Sequence, residues 1–326
     1  MSIIIQKPGI LTTFQDTGRT GARQYGINPN GAMDRTAARL LNILLGNNEN
    51  ETVLEMNFPT AEIKFVENAF FAVGGADFGA RLDEKSIENW RVYHAEQNSV
   101  LRFPEKKFGN LVYLAVNGGF AVEKWLGSGS TNLMAKIGGF QGRKLEKGDT
   151  INFQTKSRAQ FLPGGAAQSS FKIAASLLPF YSRFPTVRVV AGAEFELLTA
   201  HGEQVFRHYD FVVSPDSNRM GFRLKGAPIY LLNQKEMVSA AVNFGTIQLL
   251  PDGQMIILMA DHQTSGGYPR LGNVIETDLP LVAQLGANDK IAFYLIAPDE
   301  AENVLHQHEK DLKLLKIGVK YAMQSS

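Results

Sequence analysis

Short apolar runs rich in Val, Ile, Phe and Tyr recur along the chain, each closed off by Gly, Pro, Asn or Asp. The first series is Ile3–Ile5, Ala61–Phe65, Ala69–Val73, Ser99–Phe103, Leu111–Ala115 and Thr150–Phe153, and each predicts a strand. A second series follows at Thr186–Ala191, Thr246–Leu250, Met255–Met259 and Lys290–Leu295. Spacing this short and regular favours barrels or sandwiches over alternating βα units. Two segments keep a helical period instead. Ala37, Leu40, Leu41, Leu44 and Leu45 share one face after Asp34, the expected N-cap, and Gly46-Asn47 ends the run. Pro298–Gly318 predicts the other helix, with Glu302, Glu309, Lys310 and Lys313 on a solvated face. Within Leu162–Phe184, Pro163-Gly164-Gly165 loosens the chain and predicts a boundary between two halves. The expected partition is 1–184, holding the helix 34–45, then 185–297, then a helix and tail over 298–326.

Composition limits the function classes. The 326 residues, 44% of them hydrophobic, suffice for two domains with a substantial core. With 33 Lys and Arg against 32 Asp and Glu, the net charge of +1 sets up no field to gather phosphate backbones or anionic lipid. Neither nucleic acid nor a membrane is expected as a partner. The lack of cysteine excludes disulfides, thiolate nucleophiles and Cys-type metal sites. The opening MSIIIQKPGI has no basic leader, and no apolar run approaches the roughly 18 residues of a spanning helix, so a cytoplasmic location is expected. P-loop, HExxH and GxSxG patterns are absent. His306 and His308 lie two apart on a predicted helix, where side chains diverge by about 200° and cannot share a metal. No metal site of the chain's own is expected. No Met-Lys-Met carrier sequence occurs, and Leu133-Met-Ala-Lys136 does not replace it, so any biotin is carried on another chain.

Four polar, glycine-punctuated loops remain. In the first, Thr12–Arg19 followed by Gly31–Asp34, Gly18 and Gly31 let backbone N–H groups approach a ligand while Asp16, Arg19 and Asp34 supply charge of both signs. An Asp16–Arg19 pair across a tight turn is the plain structural alternative. The second, Gly127–Thr131 with Gly138-Gly139 and Gly142-Arg143, ends at a Gly148-Asp149 turn and reads as scaffold. In the third, Ser214–Arg223, Arg219 and Arg223 carry guanidinium groups suited to a carboxylate or phosphate. Arg219 is the better candidate, with an Asp216 pair as the alternative. In the fourth, ADHQTSGGYPR (260–270), Asp261, Gln263 and Thr264 offer donors and acceptors, Gly266-Gly267 exposes backbone, and Pro269 stiffens Tyr268. Several such loops at strand ends argue for one shared concave site.

TTFQDTGRTG, GAMD, LLGN and LE within 12–55, LGSGST, GGFQGRKL and GD within 126–149, SPDSNRMGFRL (214–224) and ADHQTSGGYPR occur in this order. Together, over nearly 1–297, they resemble the biotin-dependent carboxyltransferase domain family. That family includes allophanate hydrolase subunit 2-like proteins, the carboxyltransferase part of urea carboxylase, the C-type component of 5-oxoprolinase and KipI antagonists. Gly129 stands where the family pattern GSRST has arginine, His262 where arginine is common, and Ser265 for threonine. The lost arginine counts against full carboxyltransferase chemistry. The helix beyond about 298 lies outside the resemblance.

The resemblance implies a mainly β fold of two linked cyclophilin-like β-barrel lobes with a few helices. It also implies partners, the KipI-like B-type and the LamB/YcsF-like A-type components of a 5-oxoprolinase. The implied activity is ATP-dependent ring opening of 5-oxoproline to glutamate, with ATP and Mg2+ used at the level of the complex. Opening a lactam develops negative charge that cations must meet, for which Arg19 and Arg219 are the candidates. Asp16 or Asp34 is the candidate base or magnesium ligand. Gln15, Gln263, Thr264, Gly266, Gly267 and Tyr268 are the candidates for substrate binding. Two alternatives stand beside this activity: carboxyl transfer from biotin to a urea-like substrate, and regulatory sequestration of a KipI-like inhibitor of a histidine kinase.

Overall fold

A computed structural model describes residues 1–154, 169, 172–233 and 237–324. Of the expected boundary stretch, residues 162–168, 170 and 171 lie outside the described residues. The chain packs as two compact units, one of Met1–Arg19, Asn30–Pro179 and Glu309–Ser326, the other of Thr20–Pro29 and Phe180–His308. The partition read from the sequence is continuous along the chain; the packed units are not. Residues 20–29 go with the second unit because Asn28 Nδ2 donates to the carbonyls of Asp261 and His262, at 3.0 and 2.7 Å. Arg23 likewise donates to the Val242 carbonyl and, at 2.6 Å, to Asn243 Oδ1. Residues from 309 go with the first unit, where Arg39 donates to both Glu309 carboxylate oxygens at 2.6 and 2.9 Å.

The first unit holds strands β1 (Ser2–Lys7), β2 (Thr12–Gln15), β3 (Val53–Asn57), β4 (Glu62–Phe65), β5 (Ala69–Asp77) and β6 (Arg81–Leu82). It continues with β7 (Lys85–Ser86), β8 (Val92–Ala95), β9 (Val100–Arg102), β10 (Phe108–Val116) and β11 (Thr150–Asn152). These form two antiparallel sheets, in the orders β11-β1-β4-β9-β6-β7 and β2-β3-β10-β5-β8. Alternate residues of the first sheet, Ile3, Ile5, Ile63 and Phe65, interlock with Phe14, Phe71, Val73 and Leu114 of the second in one fully buried core. β5 is buried at every position but its last, because helix α1 (Arg35–Leu44) covers the other face of β5 and β10. Asp34 caps α1 as expected, its carboxylate accepting from the Ala37 N–H at 2.8 Å.

In the second unit, β12 (Thr186–Ala191), β13 (Phe211–Val213) and β14 (Gly221–Lys225) are followed by β15 (Ala240–Ala241), β16 (Thr246–Leu249) and β17 (Met255–Leu258). Then come β18 (Ser265–Gly266), β19 (Arg270–Val274) and β20 (Lys290–Ile296). Seven of these close into a barrel, β12-β19-β16-β17-β14-β13-β20, in which β20 returns to pair parallel with β12. β15 and β18 make a separate two-stranded ribbon. Helix α2 (Ala200–His208) packs on β20, with Phe206 stacked on Phe293 at 4.9 Å between centroids. Short α3 (Leu279–Ala283) follows β19, and long α4 (Pro298–Gln324) begins in this unit and continues, from Glu309, as part of the first.

The fold is mainly β and includes a barrel, and every strand expected from the sequence is present. One expectation is corrected: Thr12–Gln15 forms β2, paired to β3 with Thr13 opposite Glu55, not a loop. Its Thr12, Thr13 and Gln15 are buried although polar, so the apolar alternation that marks a half-exposed strand is missing. Among the described residues no helix is long and apolar enough to cross a membrane.

Candidate functional site

The candidate residues fall into two sets, one in each unit. In the first unit, β2 delivers Gln15 and Asp16 to a turn packed against Gly31. Gly31 has φ +102°, and a Cβ there would lie 2.9 Å from Gly18 N, so this approach needs glycine. Asp16 is 5% exposed and its carboxylate accepts four hydrogen bonds. The Ser128 and Ser130 hydroxyls each donate to Oδ1 at 2.6 Å, Gly18 N–H to Oδ1 at 2.8 Å, and Gly129 N–H to Oδ2 at 2.6 Å. The loop expected to be scaffold is therefore bound directly to a candidate catalytic carboxylate. Gly129, where the family pattern has arginine, is closely packed: a Cβ there would come within 2.4 Å of Thr52 Oγ1.

Arg19 is buried beside this cluster. Its guanidinium donates to Asn30 Oδ1 at 2.9 Å, to the Ser130 carbonyl, and through Nε to the Trp125 carbonyl at 3.2 Å. It lies 5.1 Å from the centroid of the Trp125 ring. The pairing expected as the plain alternative is thus replaced by separate partners for Asp16 and Arg19. Gln15 donates to Thr13 Oγ1 at 3.0 Å and the Thr131 carbonyl at 3.4 Å, while its Oε1 and Thr131 Oγ1 are buried without a hydrogen-bond partner. Asp34 joins a second buried network. Tyr113 OH donates to Glu55 Oε2 and accepts from the Asp34 N–H, at 2.8 and 2.9 Å. Burial, with the Glu55 and Asp34 charges adding to it, raises the Tyr113 phenol well above its ordinary value.

In the second unit, Arg219 forms a two-pronged pair with Asp261, Nε to Oδ2 at 2.9 Å and Nη2 to Oδ1 at 3.0 Å. The partner is Asp261, not Asp216. The Asp261 N–H donates to the Arg219 carbonyl at 2.8 Å, so the third and fourth loops are tied by backbone as well. His262, buried, donates Nδ1–H to the Gln263 carbonyl at 2.5 Å. Gln263 reaches Gln248 at 3.5 Å, and Gln248 donates to the Tyr268 carbonyl at 3.4 Å. A Cβ on Gly266 would come within 2.6 Å of Gln248 Nε2, so this glycine lets the ribbon lie against the glutamine. Thr264 accepts from the Val242 N–H at 3.3 Å through its carbonyl. Arg270, the last residue of the stretch 260–270, is committed to Glu194, whose carboxyl that contact holds below its ordinary range.

Tyr268 and Gly267 open onto a cleft of about 560 Å³, also lined by Tyr230, Leu231, Met237 and Leu249. Of the substrate-binding candidates, these two line the cleft and Gln263, Thr264 and Gly266 buttress the loop that carries them. Tyr230 and Met237 carried no chemical signature in the sequence; Tyr230 is placed by its neighbour Ile229, whose N–H donates to the Gly253 carbonyl at 2.9 Å. Among the described residues no cluster of three or more His, Asp or Glu side chains could hold a metal ion. Asp16 is saturated by four donors and Asp34 caps a helix, so neither fits as a magnesium ligand of this chain alone.

Residues 25–295 match the family model described as carboxyltransferase domain, subdomain A and B. The chain is 35% identical over 297 residues to the 5-oxoprolinase C subunit of Haemophilus influenzae, covering 91% of this chain and 92% of that protein. It is likewise 35% identical over 299 residues to the 5-oxoprolinase C subunit of Escherichia coli, with the same coverage of 91% and 92%. Similarity to urea amidolyase of Lachancea kluyveri is 28% identity over 96% of this chain but only 18% of that protein. The crystal structure of Kluyveromyces lactis urea carboxylase superposes with a TM-score of 0.88 at 26% identity, over 98% of this chain and 29% of that one.

Proposed function

The chain belongs to the family described as carboxyltransferase domain, subdomain A and B, and on that premise we propose that it is the C-type component of a bacterial 5-oxoprolinase, working with A- and B-type partners. The proposed reaction is ATP-dependent ring opening of 5-oxoproline to glutamate. One observation carries this reading: similarity at 35% identity runs over 92% of two proteins named as 5-oxoprolinase components, whereas the urea amidolyase is matched over 18% of its length. A lactam resists water because amide resonance spreads charge onto its oxygen, and ATP would supply the activation by modifying that oxygen. ATP and Mg2+ are assigned to the complex, since Asp16 and Asp34 are committed to this chain's own backbone and hydroxyls. The chain's contribution is positioning. Tyr268 and the Gly267 backbone face the cleft and would hold the small substrate, with Gln263, Thr264 and Gly266 fixing their geometry. Arg219 acts by holding Asp261 and its loop in place, and Asp16, Arg19 and Asp34 by holding the first loop.

The test is to mix the chain with purified A- and B-type partners, 5-oxoproline and ATP, and to follow glutamate with a coupled dehydrogenase. Glutamate formation that needs all three chains supports the reading, and Tyr268→Ala should then raise KM at least tenfold with the fold intact. Absence of glutamate with a complete, folded complex would overturn it. The carboxyl-transfer alternative is favoured instead by consumption of carboxybiotin with a urea-like acceptor.

A further inference from the structure

Helix α4 carries two apolar faces. Leu312 and Val319 are buried, whereas Leu314 and Ile317 are 66% and 52% exposed and Tyr321, 65% exposed, continues their line. At about 100° per residue these three fall within about 60° of one another, on the side of the helix opposite the buried pair. Their spacing, three then four residues, is that of a coiled-coil seam, and a seam this narrow suits a partner helix better than a lipid surface. Set in that heptad, the exposed Lys313 and Lys320 occupy equivalent flanking positions one heptad apart, and the exposed Lys310 takes the preceding seam position. Lys316, the fourth lysine, turns toward the unit and lies 3.8 Å from Glu49.

We propose that this face of α4 docks an acidic amphipathic helix of a different protein, with apolar residues in its seam and carboxylates on its flanks to meet Lys313 and Lys320. Charge selects the occupant. A second copy of this chain laid parallel would put Lys310 against Lys310 inside the seam, and laid antiparallel would put Lys313 against Lys320. The surface lies on α4, which begins at Pro298, beyond the family match that ends at residue 295. It does not depend on which reaction the complex performs.

The probe is a fluorescein-labelled synthetic peptide of three heptads with Leu in the seam and Glu at both flanking positions. A second peptide has Lys in place of Glu. Anisotropy against the full chain should show binding of the acidic peptide only. Affinity should fall about tenfold or more in Leu314→Asp/Ile317→Asp. In Lys313→Glu/Lys320→Glu the preference should reverse to the lysine peptide. Both variants leave Leu312 and Val319 in place, and circular dichroism and thermal midpoint should match the parent. Equal binding of the two peptides, no effect of either double variant, or no binding at all would overturn the proposal. So would binding to phosphatidylserine vesicles that Ile317→Asp abolishes, or dimerisation in sedimentation lost in the same variant.

Discussion

Replacing Asp16 by Asn tests whether this carboxylate is the keystone of its loop cluster. Asn keeps one oxygen, which can still accept from Ser128, Ser130 and Gly18, but those bonds drop from charge-assisted to neutral strength, a loss of about 1 kcal/mol each. On the other side its NH2 faces the Gly129 N–H, leaving a buried donor against a donor for a further 1–3 kcal/mol or so. Relief of the buried charge offsets part of this, so the expected destabilisation is about 3–5 kcal/mol. At about 2–4 °C per kcal/mol for a unit of this size, the thermal midpoint should fall by about 10 °C. Calorimetry on the full chain measures it, and a double-mutant cycle with Ser128→Ala isolates the coupling between the two side chains. A shift below about 2 °C would refute the reasoning, because at a residue 5% exposed three bonds cannot weaken and a fourth be lost at so small a cost. Loss of turnover with an unchanged midpoint would instead move Asp16 from scaffold to chemistry.

Other outcomes follow from the same geometry. Gly129→Ala should destabilise by about 1–3 kcal/mol through contact with Thr52 Oγ1, and Thr52→Ala in the same chain should recover most of it; a urea midpoint with no recovery would sink this account. Glu194 titrates below its ordinary value because Arg270 bonds its carboxylate, so its contribution is full above about pH 4.3 and is lost as pH falls through the lowered value. The stability gap between the parent and Glu194→Gln should therefore be present at pH 7 and close at acid pH; a gap independent of pH contradicts it. Arg219→Lys keeps the charge but loses the two-pronged fit to Asp261, and should loosen residues 260–268, seen as faster amide exchange there than in the barrel strands.

The strands were legible wherever β-branched and aromatic residues ran together, as in Thr186–Ala191, which the structure reproduces to the residue. β2 was not, because its buried positions are polar, nor was α2, whose start is set by the Thr199 hydroxyl accepting from the Gly202 N–H at 3.0 Å. Side-chain partners were hardest to read. Asp216 is three residues from Arg219 and looked a natural mate, but the pairing of β14 with β17 places Gly221 opposite Leu258 and so carries Arg219 up to Asp261. Ser128 and Ser130 lie 112 and 114 positions from Asp16, and no local pattern links them. The family motifs marked these four loops, while the division of those loops between two packed units had no signature in composition or period.

The interleaved order of the packed segments bears on how the protein is made. The polypeptide passes between its two units at 19/20, 29/30, 179/180 and 308/309. During synthesis the stretch that completes the earlier unit emerges after every barrel strand, so that unit must wait for its closing helix while the other folds. Translation interrupted between residues 180 and 308 would yield a product in which neither half is whole, and expressing the halves as separate contiguous fragments should fail for the same reason.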